Sequence, residues 1–270
     1  MVGGWRAGTL TAMQGRVTAE QHGRKARIVL DRPAAKNALT EAMLDELIGV
    51  VGDLSTDDTT DVVVISGAGT DFCSGSDVGD ITAVLASDAV GRKARFESGL
   101  TTQIHPLMRS LMDLPQVVVA SARGHAIGLG AAIVLAADLT VLSETIRLSL
   151  PQVALGHTVD HGESYLLPRK VGPARAMQLV LLGGRVTAAD AAQFGLANVV
   201  AADDRLEERT DEIVDALLAG SPTSLRGTKR ILSGSLDRDR DTQLALEVDA
   251  VAACAYSEDF VTAVRAKLGG

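Results

Sequence analysis

The densest group of ionisable side chains lies in GHTVDHGESYLLPRKVG, Gly156 to Gly172, where Asp160, His161 and Glu163 share one glycine-containing loop. Carboxylates and imidazoles held together can pass a proton to and from a reacting carbon or water. Elsewhere the chain offers backbone. GHAIGLGAAIVLAAD, Gly124 to Asp138, is a small-residue turn between the apolar run Val117 to Ala120 and a second, alanine-rich apolar run. The first amides of a helix starting there lack intrahelical partners and carry the positive end of its dipole, so they can hold an anion or a developing oxyanion. The same glycines also serve a tight strand-to-helix turn, and from this stretch alone both readings stand. A dinucleotide fingerprint is excluded, because the third small residue after Gly128 and Gly130 would fall at Ile133. DFCSGSD, Asp71 to Asp77, is a second such turn, and without the flanking glycines of GxSxG neither Ser74 nor Ser76 sits in a hydrolase nucleophile elbow.

The elements that position these residues follow from periodicity. Val17 to Leu30 reads as two strands broken at His22-Gly23-Arg24. Thr40 is the expected N-cap of a helix in which Met43, Leu44, Leu47, Val50, Val51 and Leu54 recur at helical spacing. Val62 to Ile65 then reads as a buried strand, and strand, helix, strand in that order implies a parallel crossover. Residues 80 to 112 predict one or two helices, and 139 to 153 short strands ending at Pro151. From Pro173 the chain is mostly helical, with amphipathic segments near 205 to 219, 222 to 233, 240 to 254 and 258 to 268. The whole is an α/β protein with strands early and helices late.

With 270 residues, 46% of them hydrophobic, the chain can bury a large core. A net charge of −8 argues against nucleic acid as a partner, and aromatics at 3% argue against base stacking. Any phosphate-bearing ligand then depends on a few local cations and on amides. Cys73 and Cys254 form no disulfide framework, and they show no metal-type spacing with histidine. Cys73 reads as core packing and His125 as a packed residue bonded to backbone. With neither signal peptide nor membrane span in the sequence, a soluble protein of the reducing cytoplasm is expected.

Six segments together resemble the crotonase superfamily, the enoyl-CoA hydratase/isomerase family. They are DRPAAKNAL (Asp31 to Leu39), SGAGTDFCSGSD (Ser66 to Asp77), the Gly124 to Asp138 turn, LPQVALG (Leu150 to Gly156), Leu167 to Val200, and SPTSLRGTKRIL (Ser221 to Leu232), in family order. The resemblance implies a crotonase-like ββα spiral core with a C-terminal helical trimerisation region. The chain then divides into a flexible tail at 1–14, an acyl-CoA-binding core at 15–204 and an oligomerisation region at 205–270, assembled as a homotrimer or dimer of trimers. Coenzyme A enters as part of a thioester substrate, and no covalently bound cofactor or metal is implied. By motif position, the amides of Ser76 and Leu129 polarise the thioester carbonyl. Ala34, Lys36, Ser74, Ser76, Asp77 and Gly128 line the ligand path, with Lys36 either a phosphate contact or an ordinary solvated lysine. Arg265 and Lys267 stand where the family's usual ending would reach a neighbour's phosphates.

The sequence departs from the hydratases at their two glutamates, whose positions hold Ala132 and Gln152. Neither can titrate near neutral pH, which disfavours hydration by the usual route. Asp160 falls where dienoyl-CoA isomerases and 4-chlorobenzoyl-CoA dehalogenases of the superfamily place a working aspartate, and Ser164-Tyr165 is also similar to the dehalogenases. His105 lies near the dehalogenase base, and His161 matches an acidic residue of β-diketone hydrolases. The alternatives are plain: Asp160 caps the helix near Ser164, His105 is a helix-end or interface histidine, and His161 with Glu163 forms a surface pair. The expectation is an acyl-CoA isomerase or hydrolase working through Asp160, assisted by His161 or His105. Its rival is a catalytically inactive acyl-CoA-binding protein.

Overall fold

The computed structural model describes residues 15–268, so the expected tail at 1–14 lies outside the described residues. Strand β1 (Arg16–His22) turns at Gly23 into β2 (Lys25–Asp31), whose alternation buries Ala26, Ile28 and Leu30 on one face. Helix α1 (Glu41–Ser55) begins at Thr40, whose side chain accepts from the Met43 amide as expected, and buries Met43, Leu47 and Val51. It crosses to β3 (Val62–Gly67), parallel to β2, with Val62 to Ile65 buried on both faces.

Residues 78 to 113 hold three helices, where one or two were expected. They are α2 (Val78–Leu85), α3 (Ala89–Gly99) and α4 (His105–Asp113), with a π-helical turn at Leu100–Ile104 joining the last two. Asp77 and Asp88 supply side-chain caps that break the apolar pattern into pieces. The glycine-rich turn also differs. After β4 (Val117–Ala122) a second strand, β5 (His125–Ile127), intervenes before α5 (Leu129–Ala136). The same strand-strand step repeats in β6 (Leu139–Ser143) and β7 (Arg147–Ser149), followed by α6 (Glu163–Val171) and α7 (Pro173–Leu182). Then come β8 (Arg185–Val186), α8 (Ala188–Phe194) and β9 (Val199–Ala201). The β4-β5-α5 and β6-β7-α6 turns each give one strand to a six-stranded sheet, ordered β1-β2-β3-β4-β6-β9, and one to a small sheet, β5-β7-β8. The chain is a ββα spiral.

The main core fills the space between the large sheet, α1, α4, α5 and the small sheet. On the sheet's other face Val62, Val64, Val119 and Val141 pack against Leu206 and Val214 of α9 (Leu206–Leu218). Packing therefore runs across residue 205 into the region expected to oligomerise. Helices α10 (Pro222–Ser233), α11 (Arg240–Ala255) and α12 (Glu258–Leu268) follow. Among the described residues, no helix is long and apolar enough to cross a membrane.

Candidate active site

The two small-residue turns meet at the C-terminal end of the parallel strands. In the first, the Leu39 amide donates to the Gly75 carbonyl (2.8 Å) and the Asp77 amide to the Leu39 carbonyl (2.9 Å). Peptide groups alternate along extended chain, so the Ser76 N–H points to the opposite edge. In the second, Gly128 is held at φ +54° and ψ −116°, a conformation that side chains resist, with its N–H on the Ser149 carbonyl (3.0 Å). This leaves Leu129 as the first residue of α5, its N–H outside the helical ladder. The turns are close: a Cβ placed on Gly75 would stand 2.9 Å from the Ile127 carbonyl oxygen and 3.8 Å from the Leu129 nitrogen. Neither the Ser76 nor the Leu129 N–H has an acceptor among the described residues.

The expected ligand path is a stitched pair of loops. Ser74 donates through its amide to the Lys36 carbonyl (2.9 Å) and through its hydroxyl to the Ala35 carbonyl (3.2 Å). Buried Asn37 bonds the Arg32 amide and the Ala68 and Asp71 carbonyls. Ala34 and Lys36 are exposed, with the Lys36 ammonium 3.5 Å from the His125 ring nitrogens. Asp77 was expected on the ligand path, but its oxygens are engaged within the protein. One pairs with Arg32 (2.5 Å), the other caps α2 through the Gly79 amide (2.7 Å), and Arg32 holds its carboxyl below the usual range. His125 also differs from expectation. Its ring meets the Asp71 carboxylate (2.5 Å) instead of backbone. Cys73 is core as expected, and burial pushes its thiol up to about 12.

The loop before α6 is where structure and expectation part most. Gly162, in the left-handed region at φ +89°, precedes the helix, and the cap carries no side-chain hydrogen bond, so Asp160 is not a cap. His161 and Glu163 are not a surface pair either. The Glu163 side chain is fully buried, and its carboxylate accepts from the His161 amide (2.7 Å), Gln152 Nε2 (2.6 Å) and His161 Nδ1 (3.2 Å). Burial works against its charge, yet the hydrogen bonds from the His161 ring and amide, with the attraction of that ring, keep its carboxyl below the ordinary value.

Asp160 has the reverse balance. Its Oδ1 is 3.4 Å from His161 Nδ1, its Oδ2 3.8 Å from His157 Nδ1, and Oδ1 is buried without a hydrogen-bond partner. Burial, reinforced by the neighbouring Glu163 charge, lifts its carboxyl above the usual range against the pull of His161 and His157. A poorly satisfied, desolvated carboxyl is suited to exchanging a proton. His105 is exposed at the start of α4, and its Nε2 bonds the Asp160 main-chain oxygen (2.9 Å). That contact occupies one ring nitrogen and ties His105 to the loop, leaving Nδ1 as the nitrogen that could take a proton. Tyr165 faces away, onto Asp237 (2.5 Å).

Donor atoms of Asp160, His161 and Glu163 lie within 4.8 Å of one another, a spacing that a cation could use. The Glu163 oxygens already receive N–H donors, so of the two carboxylates it is Asp160 that keeps an oxygen without a hydrogen bond. Sequence reasoning grouped Glu163 with Asp160 and His161 but did not foresee its bond to Gln152, and it missed His157. The available signal was that Gln152 replaces an acid while a new acid stands three residues beyond Asp160.

The family model described as Enoyl-CoA hydratase/isomerase matches residues 21–266. The chain is 30% identical over 244 residues to a short-chain-enoyl-CoA hydratase of Clostridium acetobutylicum, covering 90% of each. It is 30% identical over 241 residues to a 1,2-epoxyphenylacetyl-CoA isomerase of Escherichia coli, covering 89% of this chain and 90% of the relative. A structure from Thermobifida fusca in complex with acetoacetyl-CoA aligns with a TM-score of 0.80 and 32% identity, over 90% of this chain and 94% of that one.

Proposed function

The chain belongs to the enoyl-CoA hydratase/isomerase family, and from that premise we propose that it is an acyl-CoA-processing enzyme in which Asp160 moves the proton. The N–H groups of Ser76 and Leu129 polarise the thioester oxygen, which acidifies the neighbouring carbon and stabilises the enolate formed from it. The Asp160 carboxylate takes a proton from the acyl chain and returns it at another carbon, or takes it from a water that attacks the acyl group. His161, with Nδ1–H between Asp160 and Glu163, steadies the charge left on Asp160 as the proton moves. Acyl-CoA as substrate is supported by the hydratase and isomerase relatives and by the aligned acetoacetyl-CoA complex.

The observation that carries the reading is the desolvated Asp160 carboxyl, with Oδ1 buried, in a chain whose two hydratase acid positions hold Ala132 and Gln152. One working carboxyl fits isomerisation or hydrolysis better than addition of water, which needs a second group to give the proton. The same missing acids favour a second reading, an acyl-CoA-binding protein without turnover. Asp160→Asn decides between them on a panel of enoyl-, dienoyl- and β-ketoacyl-CoAs. Turnover by the parent protein should fall about 10²- to 10⁴-fold in the variant. Equal turnover removes Asp160 from the mechanism, and tight binding without turnover by the parent protein favours the second reading.

A further inference from the structure

A cavity of about 730 Å³ lies between helix α10 and the body of the molecule, within the range of roughly 300–1,000 Å³ that small-molecule pockets occupy. Leu135, Leu139, Leu166, Leu217 and Leu225 give it apolar walls. It is separate from the candidate active site. Helix α5 runs eight residues from Leu129, at the active-site turn, to Ala136 on the cavity wall, so the two sites lie roughly 10 Å apart along it. Two lysines line the cavity together with one carboxylate, Asp138. Lys229, its side chain 7% exposed, takes that carboxylate (2.7 Å) and the Gln116 carbonyl (2.8 Å), and the Val118 amide donates to the same carboxylate oxygen (2.7 Å). Lys170, in the last turn of α6, is left with one hydrogen bond among the described residues, to the Ala137 carbonyl just past α5 (3.2 Å). An ammonium carries three N–H groups, so two are unused. Burial pulls this ammonium below the ordinary lysine range, against the attraction of Asp138. Arg169 also lines the cavity but is engaged by Asp237 (2.5 Å). A desolvated cation among leucines is matched by an anion that carries an alkyl chain. The head is singly charged, since Asp138 and exposed Asp113 on the same wall oppose a second negative charge.

We propose that this cavity is a second ligand site, which binds a free long-chain carboxylate with its head on Lys170 and its chain against the leucine walls. The carboxylate accepts from the two unused N–H groups, and the chain leaves water. The site is independent of the acyl-CoA reading above. It makes and breaks no bond.

The test is titration calorimetry of the full chain with decanoate, decanol and decyl phosphate, each below its micelle-forming concentration. Decanoate should bind once per chain, about ten- to a hundredfold more tightly than decanol, the range for a hydrogen bond to a charged group. Lys170→Met keeps the apolar stem and removes the charge, so it should erase that difference while decanol binds as before. Thr228→Trp, at an exposed position on the cavity wall, should fill the space and weaken both ligands by about tenfold or more. Acetoacetyl-CoA should not displace decanoate. Absence of saturable decanoate binding overturns the proposal, as does displacement by acetoacetyl-CoA, which would put the carboxylate in the acyl-CoA site. So does a decanoate preference that survives Lys170→Met, or undiminished binding in Thr228→Trp. Tighter binding of decyl phosphate than of decanoate overturns the carboxylate head.

Discussion

Asp160 and Glu163 stand three residues apart, share one imidazole and are driven in opposite directions. Glu163 takes the nearer side of His161 and two further N–H donors, while Asp160 is left with longer contacts and a bare oxygen. Opposite dependence of stability on pH follows. The Glu163 carboxyl sits below its ordinary 4.5, so its contribution is present above that pH and is lost as pH falls through the lower folded value. Glu163→Gln should melt earlier than the parent protein at neutral pH, with the gap closing in acid. The Asp160 carboxyl sits above its ordinary 3.8, so folded protein holds this proton more tightly and stability is lost as pH rises through the folded value. Asp160→Asn should gain in melting temperature over the parent protein above that window, while turnover falls. Thermal melts across pH check both signs, and the same sign for the two variants would contradict the asymmetry.

At the scale of elements, the site depends on two turns whose backbones hold shapes that only glycine takes easily. Gly128 has open space where a Cβ would go, so Gly128→Ala tests conformation alone. It should cost about 1–3 kcal/mol of stability and lower kcat by displacing the Leu129 N–H. Gly75→Ala adds a close approach to the Ile127 carbonyl to its strain at φ +100° and should be the more damaging, as denaturant unfolding and steady-state kinetics would register. These turns were legible in the sequence because small residues after a buried strand have few other uses. So were β2, through strict alternation, and α1, through its cap and apolar stripe. The two-residue β8 and the three-residue β5 were not, because so few residues carry no period. Burial of Glu163 was hidden for a different reason. Its neighbour Gln152 lies eleven positions upstream, and His105, which pins the loop, lies 55 positions from Asp160, so local pattern cannot tell a closed loop from a solvated one.

At the scale of the whole molecule, apolar side chains stand uncovered on two helices. Leu244, Val248 and Val251 on α11 are each more than half exposed, as are Met177, Leu181 and Leu182 on α7. Apolar patches of this kind mark contact between chains, and a trimer or dimer of trimers is the assembly proposed. Light scattering should then return three or six times the 28.1 kDa of one chain, and Val248→Glu should shift the population to smaller species. Helix α10, by contrast, is fastened to its own core. Arg226 pairs with buried Asp61 (3.3 Å) and bonds the Asp58 and Thr60 carbonyls, and Lys229 reaches Asp138 (2.7 Å). Arg24 closes on Asp61 from the other side and bonds the Leu218 and Gly220 carbonyls.

That clamp joins the beginning of the chain to its final quarter. During translation the strands around Asp61 emerge long before Arg226 does, so a ribosome-bound intermediate carries this carboxylate with half its counter-charge. Nascent chains released before α10 are therefore the species on which chaperones and proteases should act.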